Sequence, residues 1–330
     1  MHAPRFWGDP PGLRAALLSP LGALYARTTA RRVARPGLRL DVPVICVGNV
    51  HAGGTGKTPT VMAVVERLLA RGLTPGVVSR GHGGRLGGPV RVDPAIHDAD
   101  AVGDEPLLLA AIAPVWVAKD RAAGGRAARA AGADVIVLDD GHQNPALTKD
   151  LSLVVIDAEV GFGNGRVLPA GPLREPAAVG LARADLTVTL GPPGAQDVLA
   201  LPVDRPRLRG RLAPLATGMP WAGLPVFAFA GIGRPAKFFD TLQALGADLR
   251  GTVALADHQP LTRPLLHRLG EQAAKLGAQP VTTEKDAVRL PNALRGRVLV
   301  LPVRLDCDDW GPLDRALDAI AVAAGGHPEG

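Results

Sequence analysis

Aromatic side chains are scarce in this chain: phenylalanine, tryptophan and tyrosine together make up 3% of its 330 residues. Proteins that bind single-stranded nucleic acid use aromatic side chains as stacking platforms, so this scarcity argues against that class. Cysteine is scarcer still, with Cys46 and Cys307 far apart in the sequence. Two distant cysteines do not form a disulfide framework, and they fit small buried side chains in a reducing cytoplasm.

Acidic residues are almost missing from the N-terminus, where Asp9 stands against seven arginines in the stretch that ends at Leu40. This stretch accounts for the whole formal net charge of +6, so the remainder of the chain is balanced. A basic patch confined to one end points to an anionic partner there rather than to a generally basic protein.

Leucines recur at helical spacing within this basic stretch, at Leu13, Leu17, Leu21 and Leu24. The apolar run is shorter than the ~20 residues that span a bilayer. Pro20 predicts a break between two short helices, with Ser19 as the cap of the second. An amphipathic helix with arginines on one side predicts an element in a membrane interface, over residues 1–36. The alternative is an ordinary helix packed on the core with a solvated basic face.

Residues 42–60, VPVICVGNVHAGGTGKTPT, combine a β-rich apolar run, a glycine-rich turn and a helix start. Glycines let backbone N–H groups surround phosphate oxygens, and the helix N-terminus adds partial positive charge. Lys57 can reach the outer phosphates, and the Thr58 hydroxyl suits a magnesium ligand. His51 replaces the first glycine of the usual pattern. The predicted nucleotide contacts here are His51, Ala52, Gly53, Gly54, Thr55, Gly56, Lys57 and Thr58.

Strands and helices alternate after this loop. The run DVIVLDD ends in Asp139 and Asp140 and is typical of a central parallel strand. In phosphate-loop enzymes an acid at such a strand end holds Mg²⁺ directly or through water. Arg80 follows another short strand, where it either pairs with a phosphate or is a surface arginine. Asp104 stands at a helix start, where capping alone could explain it.

The fold class predicted from this alternation is α/β, with a mostly parallel, phosphate-loop NTPase-like sheet flanked by helices. We expect a nucleotide-binding kinase domain over residues 37–218 and a smaller C-terminal α/β domain over residues 219–330. The proline-rich stretch from Gly191 to Pro220 predicts a connecting ribbon between them. Within the second domain, His258 follows a strand, and residues 282–286 (TTEKD) predict a helix cap.

Nine short motifs follow one another along nearly the whole chain: FWGDP, GGTGKTP, SRGHGG, GDEP, LDDGHQ, GNGRVLPAGPLREP, GIGRPAKFF, ADHQP and TTEKDAVRL. Together they closely resemble the tetraacyldisaccharide 4′-kinase family, which phosphorylates the lipid A precursor. GGTGKTP alone would indicate only a nucleoside triphosphatase, whereas the combination is specific. The chain departs from the family at His82, where tyrosine is usual, and at His142 and Asn144, where phenylalanine and histidine are common.

The resemblance implies roles for individual residues. Asp104 would be the catalytic carboxylate that accepts the sugar hydroxyl proton, His258 would orient it from the second domain, and Lys57 would serve the ATP phosphates. Arg80 and Arg121 would also contact the nucleotide. The implied magnesium set is Thr58, Asp139, Asp140 and Glu175, and the implied substrate contacts are Asp104, Arg80, His82, Asn164 and Arg174.

The resemblance further implies transfer of the ATP γ-phosphoryl group to the 4′-hydroxyl of a tetraacyldisaccharide 1-phosphate, with ATP and Mg²⁺ as cofactors. The N-terminal helix would then hold the enzyme peripherally on the cytoplasmic face of the inner membrane, with no nucleic acid and no obligate protein partner. The alternatives are a soluble ATPase switch of the partitioning or metallocentre-assembly type and a nucleic-acid-binding ATPase. A metal-delivery protein should carry His- or Cys-rich clusters, which the sequence lacks.

Overall fold

A computed structural model describes residues 4–257 and 259–325. Its strands are β1 (Val44–Gly48), β2 (Pro75–Ser79), β3 (Val90–Arg91), β4 (Val115–Val117), β5 (Val135–Asp139), β6 (Leu151–Asp157), β7 (Leu186–Leu190), β8 (Arg207–Pro214), β9 (Pro225–Ala230), β10 (Asp248–Ala254), β11 (Gln279–Thr283), β12 (Leu299–Leu301) and β13 (Val303–Cys307). Its helices are α1 (Leu13–Val33), α2 (Lys57–Leu69), α3 (Ala99–Val102), α4 (Asp104–Leu109), α5 (Arg121–Ala130), α6 (Ala177–Ala182), α7 (Pro193–Val198), α8 (Pro235–Ala244), α9 (Arg263–Lys275), α10 (Glu284–Ala287), α11 (Asn292–Arg295) and α12 (Gly311–Ala323), preceded by a 3₁₀ turn at Arg5–Trp7.

The larger sheet has the strand order β13-β8-β7-β6-β1-β5-β2-β4-β3 over the described residues. Its strands pair in parallel except at the two edges, where β3 is antiparallel to β4 and β13 to β8. The continuous apolar runs of β1 and β5 place both strands in its middle, with every residue of each buried. Helices cover both faces, as strands buried on both sides require. The predicted α/β fold is confirmed.

The smaller sheet has the order β10-β9-β11-β12, and all of its pairings are parallel. Separate apolar clusters lie on its two faces, one built around Phe238 and Leu242 of α8, the other around Leu265 and Leu269 of α9. A sheet with its own core on each face is what the alternating pattern of the C-terminal half predicts.

Strands β8 and β13 depart from the expected domain division. The stretch 191–220, expected to be a connecting ribbon, contains α7 and β8. Near the C-terminus the chain returns to the larger sheet, where Val303 pairs with Pro214 and Cys307 with Gly210. Residues 303–323 are thus attached to the larger sheet, although they lie within the 219–330 segment. The proline-rich composition concealed β8, because it forms its pairs near the edge of the sheet, where proline is tolerated.

Helix α1 is one continuous helix, so the predicted break at Pro20 is wrong. Pro20 lies inside it, and Ser19 does not cap a second helix but donates its hydroxyl to the Ala15 carbonyl oxygen, 2.7 Å away. Leu13, Leu17, Leu21 and Leu24 are 55–77% exposed, whereas Ala15, Gly22 and Thr29 are buried.

The packed face of α1 is made of small residues. A Cβ added at Gly22 would lie 2.9 Å from the Val167 carbonyl oxygen, so the helix backbone rests directly on that loop. The leucine stripe points away from the protein. Among the described residues, no helix combines the length and the apolar character needed to cross a membrane.

Candidate active site

The turn between β1 and α2 has the form of a phosphate-binding loop. Gly56 caps α2 with a left-handed backbone (φ +86°), and a Cβ there would collide with Leu190. The His51 ring replaces the missing first glycine with a contact of its own, because Nδ1 accepts a hydrogen bond from the Gly53 N–H at 2.9 Å. Burial, followed by the charges of Arg174, Lys57 and Arg234, lowers the pKa of His51 to about 4. The ring is therefore neutral and can accept that bond.

The loop is braced from both sides. Ala52 donates its N–H to the Pro172 carbonyl oxygen at 2.8 Å. The Asn49 side chain reaches across the turn and donates to the Gly53 carbonyl oxygen and to the Thr55 hydroxyl, at 3.2 and 3.0 Å. A braced loop keeps its backbone N–H groups in place without a ligand, which is what a phosphate site needs.

Lys57 and Arg174 converge on Asp140, just past the end of β5. The Lys57 ammonium lies 3.8 Å from Asp140 Oδ1, and Arg174 donates to both carboxylate oxygens at 2.8 and 3.0 Å. Burial alone would raise the pKa of Asp140, but the two cations hold it below its ordinary value. Asp140 also has a left-handed backbone (φ +54°), which residues with side chains seldom adopt, and such strain is typical of functional sites.

Asp139 is buried beside this pair. Ser79 donates its hydroxyl to Oδ2 at 2.9 Å, while Oδ1 has no hydrogen-bond partner within the described part of the chain. Burial first, then the charges of Glu105 and Asp140, raise the pKa of Asp139 to about 7. A buried carboxylate oxygen without a donor, next to further carboxylates, suits a cation. Across the described residues, however, no three His, Cys, Asp or Glu side chains meet as a complete protein-only metal site.

Asp104 begins α4, and the next residue, Glu105, is one of the charges that act on Asp139. Its side chain is 4% exposed, and its Oδ1 accepts a hydrogen bond from the Glu105 N–H at 2.9 Å. The preceding Gly103 has φ +90°, and a Cβ there would lie 2.6 Å from the His82 carbonyl oxygen. The loop 80–84 thus packs directly on the start of α4, with the Arg80 and His82 side chains exposed.

Three further predicted site residues instead make contacts that hold the scaffold. Arg121 is 3% exposed and donates to the carbonyl oxygens of Ala118 and Asp139. Asn164 donates to the Ala170 carbonyl oxygen and accepts from the Arg166 N–H. Glu175 Oε1 accepts from Gln143 and Arg183, each at 2.8 Å. Their side chains therefore position the β5 end and the loop 164–175.

The histidine of the DDGHQN turn is structural. His142 is buried, and its Nε2 lies 2.9 Å from the Gly180 carbonyl oxygen. Burial and the charge of Arg183 lower its pKa to about 4. Asn144, the neighbouring departure from the family pattern, accepts from the Ala146 N–H. Both residues thus shape a turn behind the site.

Charged residues that follow strands of the smaller sheet form ion pairs with the larger sheet. The sequence analysis gave these residues no catalytic or binding role. Arg234, after β9, pairs with Asp157 and Glu159 at the end of β6, and Lys237 pairs with the same two acids. Lys285, after β11, pairs with Glu105 of α4. The only signal in the sequence was their position after strand ends, in the GIGRP and TTEKD motifs. His258, the predicted partner of Asp104, lies outside the described residues.

Comparisons with known proteins agree over almost the full chain. The family profile described as tetraacyldisaccharide-1-P 4′-kinase matches residues 14–321. A tetraacyldisaccharide 4′-kinase of Dinoroseobacter shibae is 64% identical over 97% of this chain and 98% of its own length. One from a Jannaschia species is 58% identical over 97% and 99%. Among solved structures, LpxK from Aquifex aeolicus in complex with ATP matches with a TM-score of 0.76 and 26% identity, covering 94% of this chain and 99% of that one.

Proposed function

The chain belongs to the tetraacyldisaccharide 4′-kinase family of lipid A biosynthesis, and we propose that it performs the family reaction in the cleft between its two sheets. In this reaction the γ-phosphoryl group of ATP passes to the 4′-hydroxyl of a tetraacyldisaccharide 1-phosphate. The observation that carries the proposal is the meeting of two groups of residues: the braced loop with Lys57 and Asp140, and the buried Asp104 on α4, whose neighbour Glu105 acts on Asp139.

The nucleotide phosphates are bound by the loop 51–58. Its N–H groups and those at the N-terminus of α2 donate hydrogen bonds to the phosphate oxygens, and Lys57 neutralises the outer phosphates. Lys57 and Arg174 both contact Asp140 in the structure. A phosphate that binds either cation must therefore compete with the Asp140 carboxylate for it. Arg80, exposed on its loop, is available to the lipid substrate or the nucleotide.

Residues that would hold Mg²⁺ are Thr58, Asp139 and Asp140. The Asp139 oxygen without a donor is the observation that fits a cation. When bound, the ion neutralises charge on the transferred phosphoryl group. Glu175 was expected in this set, and its Oε1 accepts hydrogen bonds from Gln143 and Arg183. We therefore assign Glu175 to positioning the Arg174 segment.

Asp104 is the group proposed to align and deprotonate the 4′-hydroxyl. It is buried at the cleft, fixed by its own helix, and close enough to the smaller sheet for Lys285 to feel its charge. A general base must lie within hydrogen-bond reach of the proton that it removes. His258 remains the proposed partner that orients Asp104, on the basis of the family resemblance.

Helix α1 would bring the site to the lipid. Each buried CH₂ contributes about 0.8 kcal/mol to membrane binding, so a tetraacylated sugar stays in the bilayer and the enzyme must approach it. The exposed leucine stripe and the arginines of α1 fit a peripheral position on the cytoplasmic face of the inner membrane.

The test is an assay with γ-labelled ATP and three acceptor conditions: the lipid disaccharide 1-phosphate in mixed micelles, DNA, and no acceptor. We expect label only in the lipid. Release of inorganic phosphate that is indifferent to the acceptor would instead favour an ATPase switch. Labelled or stimulated turnover with DNA would favour a nucleic-acid-binding ATPase.

A further inference from the structure

Helix α10 is a short element that the smaller sheet presents to the larger one. It follows β11 directly, and Thr283 caps it by accepting from the Asp286 N–H. Asp286 is completely buried, accepts from the Gly231 N–H at 3.1 Å and pairs with Arg289. These contacts fix α10 to the end of β9, so its position is set by the smaller sheet.

The first residue of α10 contacts the larger sheet. Glu284 accepts from the Val303 N–H and, at 2.8 Å, from Arg304 of β13. Arg304 in turn lies 3.7 Å from Glu66 on α2, the helix that starts at the phosphate loop. One side of α10 is therefore tied to the scaffold beneath the nucleotide site.

The second residue, Lys285, contacts the proposed catalytic helix. Its ammonium lies 3.4 Å from Glu105 Oε1 of α4, and each of the two side chains is about three-quarters buried. Burial works against the charged form, but the carboxylates of Glu105, Asp104 and Asp257 hold the pKa of Lys285 above its ordinary value. The lysine is therefore a permanent cation at neutral pH, facing acids from both sheets.

We propose that Lys285 is a positioning residue for phosphoryl transfer: from the smaller sheet it holds Glu105 and thereby sets the place of the adjoining Asp104. The inference rests on the proposed role of Asp104. Lys285 would thus add a role in catalysis to the helix cap predicted for the TTEKD motif.

Helix α4 needs such support because it is short. It spans six residues and follows Gly103, whose positive φ (+90°) makes the entry to the helix a sharp turn. Helices of this length are not stable by themselves and take their position from tertiary contacts. A displacement of about 1 Å at reacting groups can cost about 100-fold in rate. Loss of the Lys285–Glu105 pair would therefore affect turnover more than folding.

A merely structural ion pair would behave differently. A pair that only supports the fold would affect stability alone, and its loss would leave the catalytic rate unchanged because no reacting group moves. The two roles are distinguished by measuring kcat, the KM for ATP and the Tm, because a positioning role lowers kcat and leaves the other two quantities nearly unchanged.

The experiment compares Lys285→Met, Lys285→Arg and the control Lys275→Met, which removes an exposed lysine from the last turn of α9. Each variant is assayed with saturating lipid disaccharide and varied Mg·ATP, and its Tm is measured. We expect Lys285→Met to lower kcat about 10- to 100-fold, with the KM for ATP and the Tm close to those of the wild type. Lys285→Arg should recover most of the loss, and Lys275→Met should resemble the wild type. Wild-type kcat in Lys285→Met would overturn the proposal, as would a loss explained by a lowered Tm.

A second set of variants tests the partner. Glu105→Gln and Lys285→Met should each lower kcat, and the double variant should be no slower than the slower single variant, because both act through one contact. Multiplying losses would contradict the pairing. Asp104→Ala separates this inference from the proposed function. An inactive Asp104→Ala with fully active Lys285→Met removes the role of Lys285 and leaves the proposed function standing. An active Asp104→Ala removes the proposed role of Asp104, together with the inference that depends on it. A wild-type enzyme that transfers no phosphoryl group to the lipid removes the proposed function itself.

Discussion

At the scale of single residues, the site is a set of carboxylates kept in different states by their surroundings. Asp140 is held ionised by Lys57 and Arg174, whereas Asp139, one position earlier, is buried with an oxygen that has no donor among the described residues. Asp104 is buried at the start of α4. Neighbouring acids with opposite pKa shifts are typical of sites that handle both cations and protons.

Replacement of Asp104 tests the proposed base. Asp104→Ala should lower kcat about 10²- to 10⁴-fold, the usual contribution of a positioned base. Affinity for ATP should change little, because the phosphate loop and Lys57, rather than this side chain, are the proposed nucleotide contacts. Equilibrium binding of a nucleotide analogue measured beside steady-state turnover checks both statements. Near-normal turnover would show that another group accepts the proton.

Asp139 should weaken the fold at the pH where the enzyme works. Its pKa is raised to about 7, above the 3.8 of an unperturbed aspartate. Between these two values the folded state binds more protons than the unfolded chain, so the stability that Asp139 contributes falls as pH rises through this range. Asp139→Asn removes the ionisation.

The Tm of Asp139→Asn, measured without Mg²⁺ or nucleotide, should exceed that of the wild type at pH 8 by about 2–4 °C. At pH 5.5 the difference should be roughly half as large, since the loss of stability from Asp139 accumulates between pH 3.8 and about 7. The wild type and Asp139→Asn are compared at the same pH, so that protonation of histidines affects the Tm of both proteins equally. Activity should be lost at both values of pH, which separates stability from function. An unchanged or lower Tm at pH 8 argues against the buried, uncompensated carboxylate.

At the scale of elements, α1 is unusual because its larger apolar side chains face outward and its small residues face the protein. Gly22 rests on the Val167 carbonyl, in the same loop that leads to Arg174. A membrane that receives the leucine stripe would therefore lie at a fixed height relative to the catalytic residues. Packing of α1 on the protein does not explain why its leucines are exposed, whereas contact with a membrane would.

The triple variant Leu17→Gln, Leu21→Gln and Leu24→Gln should lose binding to anionic vesicles, because it removes apolar side chains that are each more than half exposed. Turnover of substrate in vesicles should fall about 10-fold or more, given ~0.8 kcal/mol per buried CH₂, while turnover in detergent micelles stays close to normal. Val322→Gln, an exposed apolar site on α12, is the matched control. Vesicle co-flotation of the triple variant at the wild-type level would refute the role of the stripe.

The sequence predicts the site best where one continuous stretch of the chain forms a part of it. The phosphate loop and the DVIVLDD strand are continuous stretches whose residues act where they stand in the chain, and both elements occur in the structure as expected. Helix α1 was misread at Pro20, because tertiary and helical contacts around a proline can outweigh its local effect. The pairs Lys285–Glu105 and Arg234–Asp157 join residues far apart in sequence, and no periodicity encodes such contacts.

At the scale of the whole molecule, the mostly parallel larger sheet and the parallel smaller sheet carry charged residues that pair with one another. The larger sheet provides the phosphate loop, Asp139 and Asp140, and the smaller sheet provides Arg234, Lys237 and Lys285. The ion pairs across the cleft draw the two sheets together on two sides.

The most direct measurement combines purified protein, the tetraacyldisaccharide 1-phosphate and Mg·ATP, with the product analysed by mass spectrometry and phosphorus NMR. The account predicts a lipid heavier by one phosphoryl group, with the new phosphate on the 4′ position, and no such product from Asp104→Ala or Lys57→Met. Consumption of ATP with unmodified lipid, or full product formation by either variant, would contradict it.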